Sequence, residues 1–278
     1  MKINHLILEN FYKVFGNLFT GNPKFRILNV HDILEKDFDN LEKVLLSLKK
    51  NWEFVDPSKI HMISEKPNKN YILLTFDDGY KSQKFFADKI LNKHNIKSIF
   101  FVITNFLNID NQKDAKNFVL KNIDTNIDKD KLRYDEVNNM NFEDILNLRS
   151  NNHLIGSHTV NHKRLTDITN PQELEFEIYN SKKEIEIILN CPIDNFAYTY
   201  GDIDSINQNV LVLLQKYYKQ IFSGIRGNNF NFKSSTIFLR DELTPTYSQE
   251  LVNSFLCGYS DPYYYKNRRK LLSYEKNI

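Results

Sequence analysis

Seven short, mostly apolar runs recur along the chain, at 26–30, 71–76, 98–103, 154–157, 196–199, 220–223 and 236–239. Amphipathic stretches at 38–50, 82–94, 142–151, 172–189 and 206–219 lie between them. A strand with one wet face alternates polar and apolar residues, whereas a strand that is apolar nearly throughout must be covered on both faces. Helices interleaved between such strands supply that cover, which implies a parallel sheet. About seven strand-and-helix units favour closure into a barrel over an open sheet. The clearest helix start is Asn170-Pro171-Gln172-Glu173: a capping Asn, Pro at the first helical position and Glu at the third.

Two segments depart from this rhythm. Residues 107–139 are dominated by Asn, Asp and Lys, and so long a connection inside a compact domain is commonly a functional loop or a mobile insertion. Residues 1–24 read as an amphipathic helix ended by Gly21-Asn22-Pro23. Ile7, Phe11, Val14 and Leu18 fall at helical spacing, with Leu8, Tyr12, Phe15 and Phe19 alongside. A stripe that wide either packs on the domain or lies on a membrane or partner surface. Residues 25–278 read as one domain.

With 37 basic and 35 acidic residues the formal charge is only +2, so nothing calls for a nucleic-acid partner. The aromatic and basic stretch from Tyr263 to Lys270 is expected to be a solvated terminal helix rather than a base-stacking platform. No apolar run approaches the ~18–20 residues needed to cross a bilayer. Glu9, Asn10 and Lys13 interrupt any signal-peptide core. A cytoplasmic protein is therefore expected, peripheral at the inner face of the membrane if the stripe is interfacial. Cys191 and Cys257 read as free thiols.

Chemistry concentrates after two of the apolar runs. Leu74-Thr75-Phe76-Asp77-Asp78-Gly79-Tyr80 ends a strand in two adjacent carboxylates. Adjacent carboxylates repel, and are tolerated where a cation or unequal surroundings separate their ionisation. Taken alone, the motif could equally be a solvated loop. Gly156-Ser157-His158-Thr159-Val160-Asn161-His162 ends another strand, and histidines four apart converge on one ion if that turn is helical. In a parallel barrel both strand ends open on the same mouth. One carboxylate and two imidazoles leave coordination positions open for water and substrate.

T-F-D-D-G-Y followed by S-H-T-x-x-H resembles the first two motifs of NodB-type polysaccharide deacetylases, and the likeness runs from about Phe25 to Asp241. The resemblance implies a distorted (β/α) barrel with Asp77 as general base. It implies a divalent metal on Asp78, His158 and His162, with Zn²⁺ first and Co²⁺, Ni²⁺ or Fe²⁺ as alternatives. The third motif departs from the family. Phe196-Ala197-Tyr198-Thr199-Tyr200-Gly201 is similar to an F-A-Y-P-Y-G version, with Ala197 where arginine is common and Thr199 where proline is. The Tyr200 N–H remains available to an oxyanion. Arg240, in a segment that resembles the L-P-R of related deacetylases, is the expected substitute for the arginine. No histidine follows His162, so the late acid motif is absent. His31, ending the first strand as in a subgroup with rearranged motif order, is the expected general acid. His5, His61, His94 and His153 lack such a context and are read as structural or surface residues.

The function expected is deacetylation of an N-acetylated amino sugar, nucleotide- or polyprenyl-linked, in surface-glycan synthesis. Two alternatives stand beside it: an amidase or deformylase on another N-acyl compound, and a carbohydrate-binding protein with a decayed site.

Overall fold

The computed structural model describes residues 4–15, 24–63, 69–123, 137–232, 234 and 236–276. Its strands are β1 (Phe25–Val30), β2 (Glu53–Phe54), β3 (Tyr71–Phe76), β4 (Ser98–Val102), β5 (Leu154–Ser157), β6 (Asn195–Ala197), β7 (Gln220–Phe222), β8 (Ile237–Phe238) and β9 (Asp241–Glu242). They form one sheet in the order β8-β7-β6-β5-β4-β3-β1-β9, with β2 beside the start of β3. Every pairing is parallel. The sequence pattern anticipates seven strands and misses β2 and β9, each only two residues long, the first half-polar and the second wholly charged.

β9 begins three residues after β8 ends, yet the two occupy opposite edges of the sheet. Ile237 of β8 sits opposite Ile221 of β7, and Asp241 of β9 opposite Leu28 of β1. One segment therefore supplies both edges, and the sheet curls into a distorted barrel whose seam is Leu239-Arg240.

Side chains alternate across this curled sheet. Phe25, Ile27, Leu73, Ile99, Phe101, Ala197 and Phe222 make one buried cluster, which fills the barrel interior. Their chain neighbours Leu28, Leu74, Phe76, Phe100 and Val102 belong to a second, packed with the helices outside. Continuing the inward row of β1 brings Asn29 and then His31 to the carboxyl end. The same continuation in β3 brings Thr75 and Asp77.

The helices follow their sequence signals with local departures. The Asn170 side chain accepts from the Gln172 and Glu173 amides at 2.9 and 3.3 Å. Three helical stretches contain a wider π-type turn, at Ala87–Leu91, Val119–Ile123 and Phe176–Asn180. The insertion, as far as it is described, is not a solvated loop. Ala115, Val119 and Val137 bury against Tyr80, Ile103 and Phe106 in a satellite core. Residues 124–136 of it lie outside the described residues.

The N-terminal helix, His5–Phe15, divides its apolar stripe. Leu8 is buried with Leu251 and Phe255 of the helix Gln249–Cys257, and His5 meets Tyr247 and Phe255 edge-on. Ile7 and Val14 face outward, 63% and 70% exposed. Leu18 and Phe19 lie outside the described residues. No described helix is long and apolar enough to cross a membrane. The terminal helix Tyr265–Lys276 buries Leu271 and leaves the Tyr265 ring exposed. Both cysteines are free thiols.

Behind the seam, the fully buried Arg26 donates to Asp241 at 2.6 and 2.7 Å, to Asp261 at 2.9 Å and to the Phe255 carbonyl at 2.8 Å. Removing one partner of such a pair leaves a buried charge uncompensated. Arg26→Ala should cost about 3–5 kcal/mol in urea unfolding. Lys69→Ala, which breaks an exposed pair with Glu53 at 2.6 Å, should cost less than about 1 kcal/mol. Equal, small losses would show that the Arg26 cluster does not hold the barrel edge.

Candidate functional site

The carboxyl ends of β1, β3, β5 and β6 and the seam converge on a cleft of about 460 Å³. Its lining includes every residue singled out from the sequence: His31, Asp77, Asp78, His158, His162, Tyr200 and Arg240.

Asp77 extends β3 by one residue, its amide donating to the Val30 carbonyl at 3.0 Å. Arg240, leaving the seam inward, meets the Asp77 carboxylate end-on: one terminal nitrogen donates to Oδ1 at 2.7 Å and the other to Oδ2 at 2.8 Å. Arg240 is itself fixed, donating to the Ser223 carbonyl at 2.8 Å with the Phe101 ring 5.4 Å away. Asn29 adds a bond to Asp77 Oδ2 at 3.0 Å. Burial pushes the Asp77 carboxyl up, but the Arg240 charge reverses this and holds it well below the usual carboxylate range. His31 lies across from the same carboxylate, its Nε2 4.0 Å from Oδ2 and its side chain 48% exposed.

Asp78 turns away from Asp77 because its backbone is left-handed, φ 80°, followed by Gly79 at φ 93°. Aspartate tolerates this conformation and glycine has no Cβ to oppose it. Burial raises the Asp78 carboxyl, and its Oδ1 accepts no hydrogen bond. Opposite stand His158 Nε2 at 3.5 Å and His162 Nε2 at 3.6 Å.

The histidines do not converge through a helical turn, as their spacing suggests. Thr159 and His162 are both left-handed, at φ 70° and 60°. The loop is held from outside by the buried Glu177, whose carboxylate accepts from the Val160 and Asn161 amides at 3.0 and 2.8 Å. Each histidine has its far nitrogen on a carbonyl: His158 Nδ1 on Ala197 and His162 Nδ1 on Asn122, both at 2.7 Å. A carbonyl only accepts, so both Nδ1 atoms carry the proton and both Nε2 atoms present lone pairs. Burial lowers both imidazoles to about 4, which keeps them neutral at pH 7.

The two Nε2 lone pairs and Asp78 Oδ1 thus face one another, all within 4.8 Å. That donor set fits a cation. Ligand atoms about 2.1 Å from a tetrahedral ion lie about 3.4 Å apart, close to the separations here. A carboxylate and two neutral imidazoles suit Zn²⁺ and similar divalent ions.

After β6, Thr199 replaces the motif's proline with a hydroxyl that donates to the Lys163 carbonyl at 2.6 Å, tying this loop to the histidine loop. Tyr200 and Gly201 follow in left-handed geometry, φ 62° and 65°. A Cβ on Gly201 would stand 2.7 Å from the Gly224 nitrogen, so only glycine fits. The Tyr200 ring is 5.0 Å from His162, with the Arg164 guanidinium 4.3 Å from its own centroid. Arg164 in turn pairs with Asp202 at 2.8 Å.

Asn29, Glu177 and the Asn122 carbonyl escape a motif search. Glu177 reads as one more charge on a helix, and a carbonyl has no sequence signature. Both Glu177 and Asn122 sit in the π-type turns, a geometry often found at functional sites. Of the remaining histidines, His153 is buried between the Ser98 amide and Asn92, at 3.2 and 3.1 Å. His94 pairs with Glu42, and His5 packs on aromatics.

No curated protein sequence matches the chain. Among solved structures it is similar to the deacetylase PplD of Streptococcus pyogenes, determined with acetate. Identity there is 18% and the TM-score 0.62, over 85% of this chain and 98% of that one. IcaB from Ammonifex degensii gives 16% and 0.64 over 85% and 98%, and a polysaccharide deacetylase from Bacillus cereus gives 21% and 0.61 over 84% and 69%. At these identities the likeness is one of fold. The sequence model of the polysaccharide deacetylases matches residues 64–218. That span is more than half of the chain and carries both carboxylates and both histidines of the site, and the protein belongs to the polysaccharide deacetylase family.

Proposed function

We propose that the protein is a metal-dependent amide hydrolase that deacetylates an N-acetylated amino sugar, nucleotide- or polyprenyl-linked, in surface-glycan synthesis. One observation carries the reading. Three potential ligand atoms converge beside a carboxylate that Arg240 keeps ionised, with an imidazole across from it.

On this reading Asp78, His158 and His162 hold the ion, Zn²⁺ most simply. Bound there, it supplies Lewis acidity to the acyl carbonyl and to the attacking water. Asp77, ionised throughout the working range, takes the proton of that water on a carboxylate oxygen. The Tyr200 N–H, which donates to no described group, stabilises the developing oxyanion. His31, solvent-accessible and so able to recharge, protonates the departing amine. Taking the acid from β1 is the rearranged motif order. The outward face of the N-terminal helix, with Ile7 and Val14, supports peripheral contact with a membrane.

Purified protein should carry one divalent ion per chain, and His158→Ala and His162→Ala should lose most of it. Equal metal content in all three would overturn the ligand assignment. A mass-spectrometric screen of N-acetylated sugars, free, nucleotide-linked and polyprenyl-linked, then identifies the substrate.

Asp77→Asn should abolish turnover and keep the ion, because an amide cannot accept the proton. His31→Ala should lower kcat roughly 10²–10⁴-fold. Arg240→Ala should raise the Asp77 pKa, since the charge that lowers it is gone. The base then protonates at higher pH, and the acidic limb of the pH–rate profile moves upward. An unmoved limb would free Arg240 of this role.

Ile7→Glu with Val14→Glu should reduce co-sedimentation with vesicles of mixed zwitterionic and anionic lipid and leave Tm unchanged. Leu8→Ala should lower Tm instead. Unchanged sedimentation in the double variant would remove the membrane contact.

A further inference from the structure

The first strand leaves the sheet at His31. β1 pairs with β3 as far as Val30 opposite Phe76, and the Asp77 amide adds one more bond, to the Val30 carbonyl. Asp77 is secure beyond that point, because Arg240 and Asn29 grip its carboxylate. His31 has no such support. Its imidazole is half-exposed. Among the described residues its backbone makes one hydrogen bond, its carbonyl accepting from Gln83 Nε2 at 3.1 Å.

Gln83 is fully buried near the start of the helix Lys81–Phe86. The left-handed turn at Asp78 and Gly79 brings the chain back, so that Gln83 lies over the strand end it has just left. The same Nε2 also donates to the Asp77 carbonyl. Carbonyls only accept, so the orientation of this amide is settled, and both of its N–H groups are used. Its Oε1 is left buried without a hydrogen bond. An unpaired buried acceptor weighs against stability, and what the side chain gives in return is the bridge. Next to it, Ser82 Oγ donates to Asp32 Oδ1 at 2.6 Å, a second tie between this helix start and the segment after β1.

Resting on the function proposed above, we infer that Gln83 is a positioning residue for the hydrolysis: its bridge between the His31 and Asp77 carbonyls sets the place of the acid relative to the base. The two groups serve one carbon at different steps, Asp77 taking the proton of the water and His31 giving one to the departing nitrogen. Their facing atoms lie 4.0 Å apart, and a displacement of about 1 Å can cost roughly 10²-fold in rate. A tie between the two backbones keeps that spacing while the ring itself stays open to solvent. Losing it displaces the group with fewer anchors. The defect then falls on proton delivery to the amine and not on the attack of water.

Gln83→Met keeps length and apolar bulk and removes both donors, and Gln83→Leu does so with a branched chain. On the best N-acetyl sugar of the screen, each should lower kcat roughly 10- to 10²-fold with little change in KM. Each should keep the wild-type rate on 4-nitrophenyl acetate, whose phenolate leaves without a proton from the enzyme. In a His31→Ala background Gln83→Met should cost nothing further, because no acid remains to be misplaced. This cycle decides alone if the aryl ester is no substrate of the wild type. An unchanged kcat, equal losses on sugar and ester, or losses additive with His31→Ala would overturn the positioning role and leave the deacetylase reading intact. So would failure of both variants to fold, which would make Gln83 a support of the barrel. His31→Ala with wild-type kcat would overturn the acid assigned above, and this inference with it. Wild-type protein inactive on every N-acyl sugar would remove the deacetylase reading itself.

Discussion

The paired hydrogen bonds between Arg240 and Asp77 are the interaction on which the rest depends. A carboxylate taken this far out of water would ordinarily protonate, and a protonated Asp77 could no longer accept a proton. The guanidinium prevents that, and its own burial is offset by the Ser223 carbonyl and the Phe101 ring beneath it. Two charges held in fixed geometry at the barrel's closing edge make the electrostatics of the mouth a property of the fold. This arginine comes from the seam between β8 and β9, while the segment that ends β6 carries Ala197 and no arginine.

The pKa values of the adjacent carboxylates shift in opposite directions because their surroundings differ. Asp77 has donors on both oxygens, whereas Asp78 Oδ1 has none and looks onto two lone pairs. The backbone separates them, since a left-handed Asp78 points away from its neighbour. The histidines are held in one tautomer by carbonyls of Ala197 and Asn122. The second of these belongs to the insertion, so a segment outside the β/α repeat orients the His162 ring. Fixing ring orientation from behind is how partners beyond the ligands tune a metal site.

Much of the fold was legible because strands covered on both faces must be apolar nearly throughout, and helices must start somewhere: Asn170 caps as its neighbours imply. β2 and β9 were not legible, being two residues long and defined by pairing alone. The order of the motifs and the alternation along β1 and β3 were enough to bring Asp77, Asp78 and His31 to one mouth. The shape of the histidine loop was hidden, because it depends on Glu177 in a distant π-type turn rather than on local spacing. The N-terminal stripe shows another limit. Helical arithmetic found apolar residues on adjoining faces and could not say that Leu8 would dock while Ile7 and Val14 stayed outside.

The seam has one further consequence, which concerns length. Side chains alternate along Phe238-Leu239-Arg240-Asp241-Glu242, so Arg240 faces inward to Asp77 and Asp241 outward to Arg26. Deleting or inserting a single residue ahead of Arg240 would reverse both directions at once. A deletion would bring Asp241 to face Asp77 inside the barrel, and an insertion would bring Arg240 to face Arg26 outside it. Either change would set like charges against each other where opposite charges now meet. The segment therefore counts residues, and its spacing matters apart from which residues it carries.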